Sequence, residues 1–283
     1  MAMSPTVRSR RLGAQLRDLR TNANIRGIEL AKAAGVSQSH LSQCENGRAV
    51  LAAKQLDAAL AHLGVADDQA EHMQELRRDA AKKGWWHDFV DVLPEQVEVL
   101  IGLETEASWL RTYEGGVIPG LLQTRDYAEA VISAATPYVR PEDIERRVDL
   151  RMRRQERLAE PDCQLTAVIG EEAIRYQVGG AAVLREQLYH LINVVARYNV
   201  TVQVVPFTAG AHPGRGENYM ILSFPEPTDP EAVYLETLTS WAFREKPHEI
   251  RAYTYTFNAI TALALSPKES MELINVAAEE LTG

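Results

Sequence analysis

Residues 28–47, IELAKAAGVSQSHLSQCENG, carry the strongest structural signal in the chain. A helix-turn-helix needs a small residue where its two helices touch, a residue that permits the turn, and apolar side chains that plug both helices. Those places are taken by Ala31, Gly35, Val36 and Leu41. Ser37 can cap a second helix over residues 38–45, and Asn46 with Gly47 can end it. The stretch therefore predicts a helix-turn-helix.

The second helix of this pattern leaves a polar face for a partner. The candidate base-reading residues are Gln38, Ser39, Ser42 and Gln43. Glutamine pairs with the edge of adenine in the major groove, and serine pairs with several bases. The candidate phosphate-binding residues are Arg26, Arg48 and Asn46. Phosphate contacts position a protein on DNA without reading its sequence. The expected partner of this face is double-stranded operator DNA.

The charge of the chain is divided unevenly along its length. The net charge of the whole chain is −9, which by itself argues against a nucleic-acid partner. Residues 1–54, however, hold nine basic and three acidic residues, and the remainder holds 21 basic and 36 acidic residues. A basic head on an acidic body confines phosphate affinity to one end of the chain.

The pattern at residues 28–47 resembles the XRE-type, lambda-repressor-like family. The resemblance implies an all-α head of five helices over about residues 8–82. It also implies a structural salt bridge between Arg20 and Glu45, which excludes this pair from base reading. Cys44 departs from the larger aliphatic residue that the family usually has there.

The rest of the chain mixes helical and strand patterns, and Gly84 with Trp85 marks a change of domain. We therefore expect a five-helix helix-turn-helix head over residues 1–84 and a larger α+β regulatory domain over residues 85–283. Expected strands lie at residues 165–169, 200–207, 219–224 and 232–237. Expected helices lie at residues 97–113, 125–134, 141–158, 183–197 and 248–265, with a last helix opened by the capping box of Ser266 and Glu269.

Sequence motifs of the second part resemble those of actinobacterial WhiJ-like regulators, which join an XRE-type head to a domain of unknown function. The matching residues and segments are Trp85–Asp88, Ile118–Thr124 with Tyr127, Arg151 with Arg154 and Gln155, Gly170–Ala173, Val200–Phe207 with Ala209 and Gly210, Tyr234–Glu236 and Ala264–Ser270. This resemblance covers nearly the whole chain and brings no established catalytic residue with it. It implies that genes for such regulators commonly neighbour genes for small partner proteins.

A ligand or partner site in the second part has two candidate locations. The arginines of residues 141–158 favour a solvated helix face, and the alternative places Arg151, Arg154 and Gln155 inward, toward Glu171 or a bound anion. The glycine-rich segment at residues 210–216 lies between two strands rather than before a helix, so it is not typical of a phosphate cradle. We expect it to be a mobile loop with a binding role.

Catalytic, metal and membrane functions have little support in the sequence. The histidines are scattered without metal-ligand spacing, and the two cysteines imply neither a disulfide framework nor a metal site. No apolar stretch is long enough to span a membrane, and the start is not a secretory signal. We therefore expect a cytoplasmic protein without catalytic residues, cofactor or metal, which associates with the nucleoid when it binds DNA.

The most favoured function is a sequence-specific transcriptional regulator, either a repressor or a developmental or antibiotic-type regulator. Because one recognition helix contacts few base pairs, we expect a homodimer held by the second domain, which also senses a small-molecule effector or a small partner protein. The alternative is an antitoxin-like protein that neutralises a small cognate protein and regulates its own operon.

Overall fold

The computed structural model describes residues 6–82, 84–135, 139–214, 216–226, 229–237 and 240–281. The chain divides into two compact units. The first unit comprises Met1–Val90 and Pro94–Leu103, and the second comprises Asp91–Leu93 and Glu104–Gly283. The boundary expected at residues 84 and 85 thus falls inside the first unit.

The first unit begins with five α-helices. They are α1 (Val7–Asn22), α2 (Gly27–Ala33), α3 (Gln38–Glu45), α4 (Ala53–His62) and α5 (Asp67–Ala80). A short 3-10 helix, Trp85–Phe89, follows, and helix α6, Glu95–Glu106, continues past Leu103, the last residue of this unit. Apolar residues at helical spacing meet in one core, in which Leu16, Leu30, Leu41, Leu56 and Met73 are almost fully buried. The all-α head predicted from the sequence is confirmed.

A mixed six-stranded sheet forms the centre of the second unit. Its strands are β1 (Trp109–Glu114), β2 (Gln164–Gly170), β3 (Val200–Val205), β4 (Tyr219–Ser223), β5 (Ala232–Glu236) and β6 (Trp241–Arg244). They lie in the order β3-β2-β1-β4-β5-β6. Strands β1, β2 and β3 are parallel, whereas β4 to β6 pair in antiparallel fashion. The predicted α+β class is confirmed.

Within the described residues, six helices accompany this sheet. They are α7 (Arg125–Ala135), α8 (Pro141–Arg154), α9 (Glu171–Arg175), α10 (Ala181–Val195), α11 (Pro247–Leu263) and α12 (Pro267–Glu280). Helix α11 packs Phe257 and Ile260 into a core that includes Tyr113, Tyr219 and Ile221 of the sheet. The capping box predicted for α12 is present, since the Ser266 Oγ accepts a hydrogen bond from the Glu269 backbone N–H.

Two expected elements of the second unit are wrong. The helix expected over residues 97–113 ends at Glu106, and β1 begins at Trp109. This strand lies between β2 and β4, and its residues 110–113 are buried. A strand buried on both faces lacks the alternation by which strands are recognised in a sequence. The helix expected to reach residue 158 ends at Arg154 and continues as a 3-10 helix, Gln155–Ala159.

The parallel part of the sheet defines one edge of the second unit. Because β1, β2 and β3 run in the same direction, their last residues, Glu114, Gly170 and Val205, meet at the same side. We call this side the carboxyl edge. The chain leaves β3 at one end of the strand order and enters β4 on the far side of β1, so the segment between them must cross the ends of β2 and β1.

Candidate functional site

Helix α3 presents one polar face to solvent. The Ser37 Oγ accepts a hydrogen bond from the His40 backbone N–H at 3.1 Å, so the predicted cap is present. Leu41 and Cys44 are 1% and 4% exposed and belong to the core of the first unit. The four predicted base readers on either side of Leu41, namely Gln38, Ser39, Ser42 and Gln43, are exposed. Their shared exposure follows from the helical period, which turns them away from the buried positions.

A partly buried ion pair holds the end of α3 against α1. The Arg20 Nε and Nη2 donate to the two carboxylate oxygens of Glu45 at 2.6 and 3.0 Å, and the Arg20 Nη1 donates to the Ile25 carbonyl at 3.0 Å. The hydrogen bond to Glu45 raises the pKa of Arg20. The salt bridge implied by the family resemblance is therefore confirmed, and it is a structural pair.

Gly13 allows α1 to approach α3 closely. A Cβ at this position would stand 2.9 Å from the Glu45 carbonyl oxygen and closer still to the Cys44 carbonyl oxygen. Nearby, the Ser9 Oγ donates to the Gly47 carbonyl at 2.7 Å. Gly47 follows α3 with a φ of +71°, a conformation that glycine adopts without strain. These contacts fix where the polar face of α3 points.

The predicted phosphate-binding residues lie at both ends of the helix-turn-helix. Arg26 is the exposed N-cap residue of α2, and Arg48 is exposed after the end of α3. The Asn46 side chain is engaged within the protein, because its Nδ2 donates to the Ser42 carbonyl at 2.7 Å and its Oδ1 accepts from Arg17 at 2.6 Å. The structure thus adds Arg17 to this basic surface.

The sequence reasoning missed Arg17, although a signal for it existed. Arg17 lies three residues before Arg20 on α1, so the two side chains share a helix face. Since Arg20 reaches Glu45 at the end of α3, its neighbour also points toward that end. The Arg17 Nε lies 3.7 Å from a Glu45 carboxylate oxygen, and its side chain is 44% exposed.

Both cysteines are buried, and neither forms a disulfide bond. Burial raises the pKa of Cys44 to about 11, so this thiol stays neutral at ordinary pH. Burial also raises the pKa of Cys163. The Cys44 Sγ lies 3.8 Å from the His40 Nε2.

Three residues expected at a ligand or partner site, Arg151, Arg154 and Gln155, form hydrogen bonds within the second unit. The Arg154 Nε and Nη2 donate to the two carboxylate oxygens of Glu104 at 2.8 and 2.6 Å, and Glu104 is 2% exposed. The Arg151 Nη1 donates to the Gln123 Oε1 at 2.9 Å. The Gln155 Nε2 donates to the carbonyls of Gly120 and Gln123 at 3.0 and 2.7 Å.

Arg151 of this cluster and the nearby Glu114 have shifted pKa values. Burial lowers the pKa of Arg151 to about 10. Burial raises the pKa of Glu114, at the end of β1, to about 8, and the neighbouring Glu236 adds to this increase. Arg151, Arg154 and Gln155 thus bond to Glu104, Gln123 and Gly120, whereas the alternative interpretation placed them toward Glu171 or a bound anion.

Glu171 has a different set of partners. It begins α9, directly after β2, and its carboxylate accepts hydrogen bonds from the Phe207 backbone N–H at 2.8 Å and from the Arg175 Nε at 3.3 Å. The hydrogen bonds of Glu171 therefore connect the carboxyl ends of β2 and β3, whereas those of the arginine cluster connect α8 to Glu104 and to the turn at residues 120–123.

A cavity of about 330 Å³ lies at the carboxyl edge. Its walls come from the segments after β1, after β2 and after β3, and from the segment before β4. The polar and aromatic side chains among them are Tyr113, Glu171, Glu172, Phe207, His212, Glu217 and Asn218. The segment expected to be a binding loop contributes Gly210, His212, Gly214 and Gly216, whereas Arg215 lies outside the described residues.

The two units match two known protein families. Residues 11–73 match a family described as a helix-turn-helix domain. Residues 97–276 match a family described as a domain of unknown function, DUF5753. The chain belongs to the DUF5753 family. No curated protein and no solved structure matches it.

The helix-turn-helix domain of this DUF5753 chain supports a DNA-binding regulator rather than an enzyme. Within the described ranges, no group of three or more histidine, cysteine, aspartate or glutamate residues is placed to hold a metal ion. In the same part of the chain, no helix combines the length and the apolar character needed to cross a membrane.

Proposed function

We propose that this chain is a sequence-specific transcriptional regulator of the XRE type with a WhiJ-like second domain. The observation that carries the proposal is the division of α3 into a buried side, with Leu41 and Cys44, and an exposed polar side. The exposed side chains proposed to read base edges in the major groove are Gln38, Ser39, Ser42 and Gln43.

Phosphate contacts flank this reading surface. Arg26 and Arg48 supply positive charge at the start of α2 and after α3, and Asn46 holds Arg17 beside them. Guanidinium groups are well suited to phosphate because they present several donors in a fixed plane. Asn46 acts mainly through this contact, since its amide nitrogen already donates to the Ser42 carbonyl.

The second unit gives the regulator its homodimeric state and its response to a signal. A repressor that uses two heads gains the affinity that one recognition helix lacks. A protein that reads operator DNA in this way acts in the cytoplasm, at the nucleoid.

A second candidate function is an antitoxin-like role, in which the second unit binds a small cognate protein and the head regulates its operon. The second unit exposes large aromatic side chains, with Tyr198 83% and Tyr255 78% exposed. Tyrosine is enriched at protein interfaces, and this favours a protein partner.

Selection of bound DNA from random sequences by the full chain tests the proposal. Replacing Gln43 by alanine should weaken binding to the selected site by about 1–3 kcal/mol, roughly 5- to 150-fold, and should leave binding to random DNA nearly unchanged. Gln69→Ala on α5 is the matched control, because Gln69 is also exposed but lies on another helix. Equal weakening on both kinds of DNA, or the absence of any selected sequence, would contradict the proposal.

A further inference from the structure

Helix α11 is the longest helix in the described part of the chain, with 17 residues, and it is packed on one side. Its inner side, with Ile250, Phe257 and Ile260, belongs to a core that includes residues of the sheet. Its outer side faces solvent and carries Tyr255, which is 78% exposed, and Leu263, which is 45% exposed. Aromatic side chains at the surface are enriched where another protein binds.

The outer side of α11 has the spacing of a helix that pairs with another helix. Its residues Ala252, Tyr255, Ala259 and Ala262, which we call the outer seam, follow one another at intervals of three, four and three residues. Such intervals keep one line of side chains facing a partner helix. Ala259 is half-buried and the other three are exposed, so the seam remains open to solvent in the single chain. Because alanine is small, two helices can approach closely along this line.

The outer seam lacks the negative charge of the chain around it. Residues 55–283 hold 21 basic and 36 acidic residues, but residues 250–268 hold no acidic residue and residues 252–265 hold no charged residue of either sign. The centres of protein interfaces are depleted in charged residues. Two copies of an acidic body repel each other over most of their surfaces, and the outer seam is a face on which they can meet without that repulsion.

The two ends of α11 complement each other in charge. Arg251, beside the start of the seam, is exposed and has no ion pair among the described residues. The last turn of α11 holds no basic residue, and the C-terminal end of a helix carries a partial negative charge. An antiparallel pair of α11 helices brings each Arg251 beside the last turn of the other helix. A parallel pair would instead bring the two guanidinium groups together, and like charges repel.

We infer that the outer seam of α11 pairs in antiparallel fashion with the same helix of a second copy of this chain. A two-fold axis across the seam places Ala252 beside Ala262 of the other copy and Tyr255 beside Ala259 of the other copy, so each large ring packs on a small residue. The same surface thus meets itself, and the charge of each helix end is answered by the other copy. This inference rests on the proposed homodimer, to which it assigns a surface.

Sedimentation equilibrium of the full chain without DNA measures the dissociation constant of the dimer. Tyr255→Glu and Ala262→Glu each place two like charges in the paired seam, one from each copy, and should each raise this constant about 100-fold. Tyr198→Glu is the matched control, because Tyr198 is 83% exposed but lies outside α11, and it should leave the constant nearly unchanged. Far-ultraviolet circular dichroism of each variant separates loss of pairing from loss of folding.

Cysteine variants test the antiparallel orientation. In this arrangement the two Ala252 residues lie about 15 Å apart along the helix axis, whereas each lies beside Ala262 of the other copy. Under mild oxidation, the double variant Ala252→Cys with Ala262→Cys should therefore form a covalent dimer, and Ala252→Cys alone should stay without one. The native Cys44 and Cys163 are buried in all of these chains. A covalent dimer of Ala252→Cys alone would show a parallel pair and overturn the inference.

The remaining outcomes separate this surface from the proposed function. A wild-type chain that is monomeric, or one whose seam binds a small cognate protein in place of a second copy, would overturn the inference. A dimer that neither seam variant weakens, or that the Tyr198 control weakens equally, would refute the surface and leave the homodimer in place. A dimer that the seam variants dissociate, in a chain that selects no operator, would support the surface while the DNA-binding proposal fails.

Discussion

Replacing Gly13 by alanine should destabilise the packing of helix α1 against the end of the recognition helix, α3. The added Cβ would lie 2.9 Å from the Glu45 carbonyl oxygen and closer still to that of Cys44. Both are backbone atoms at the end of α3, so no side-chain rotation relieves the overlap. The Cys44 oxygen must move by about 1 Å to reach an ordinary contact distance.

The expected cost follows from two opposing terms. Forcing an extra carbon against two backbone carbonyl groups costs about 2–3 kcal/mol, the upper part of the range for overpacking. Alanine in a helix interior recovers about 1 kcal/mol relative to glycine. The free energy of unfolding of the first unit should therefore fall by about 1–2 kcal/mol. For a domain of this size, that lowers the melting temperature by roughly 5–15 °C.

Calorimetry of the full chain gives the unfolding transition, and hydrogen exchange of peptides from α1 and α3 assigns the change to the first unit. Gly27→Ala on α2 is the matched control, because a Cβ there has no neighbour within 4 Å. This control should be as stable as the wild type or slightly more stable. If Gly13→Ala is equally stable, with unchanged exchange in α3, the close approach of the two helices does not limit the packing and the reasoning is refuted.

Three further predictions concern DNA contacts, pH and assembly. Arg26→Ala and Arg48→Ala should each weaken binding to all DNA sequences alike and reduce the salt dependence of binding by about one ion, and an unchanged slope in salt titrations would exclude the phosphate contact. Because the folded chain holds the pKa of Glu114 at about 8, well above that of the unfolded chain, the free energy of unfolding should decrease as the pH rises from about 5 to 8, and Glu114→Gln should flatten this part of a pH series of denaturant melts. Light scattering should give twice the chain mass of 31.5 kDa, and a monomer at the concentrations that bind DNA would refute the proposed homodimer.

The head could be predicted closely because its determinants are local. One short stretch holds the cap Ser37, the apolar positions around Leu41, and the terminating pair Asn46 and Gly47. Helix α3 begins and ends at the predicted residues. The close approach at Gly13 could not be read from this stretch, because it depends on contact with α1, about 30 residues earlier.

The second unit was less predictable because its determinants are distant in sequence. Arg154 and Glu104 are 50 residues apart, and only the fold brings them together. Strand β6 has four half-buried residues, which is too short for a clear alternating pattern. The cavity is built from segments after three different strands and before a fourth, so the glycines of residues 210–216 indicated a special loop but did not give its neighbours.

The division of α3 between a buried and an exposed side has an evolutionary consequence. Within this eight-residue helix, the residues that support the fold are Leu41, Cys44 and Glu45, and none of them belongs to the proposed reading surface. Exchanges among the exposed side chains therefore leave the packing of the head intact. After gene duplication, a few substitutions on this exposed side can therefore change the operator sequence that is bound, without a prior increase in the free energy of unfolding. DNA specificity can then diverge faster than the fold.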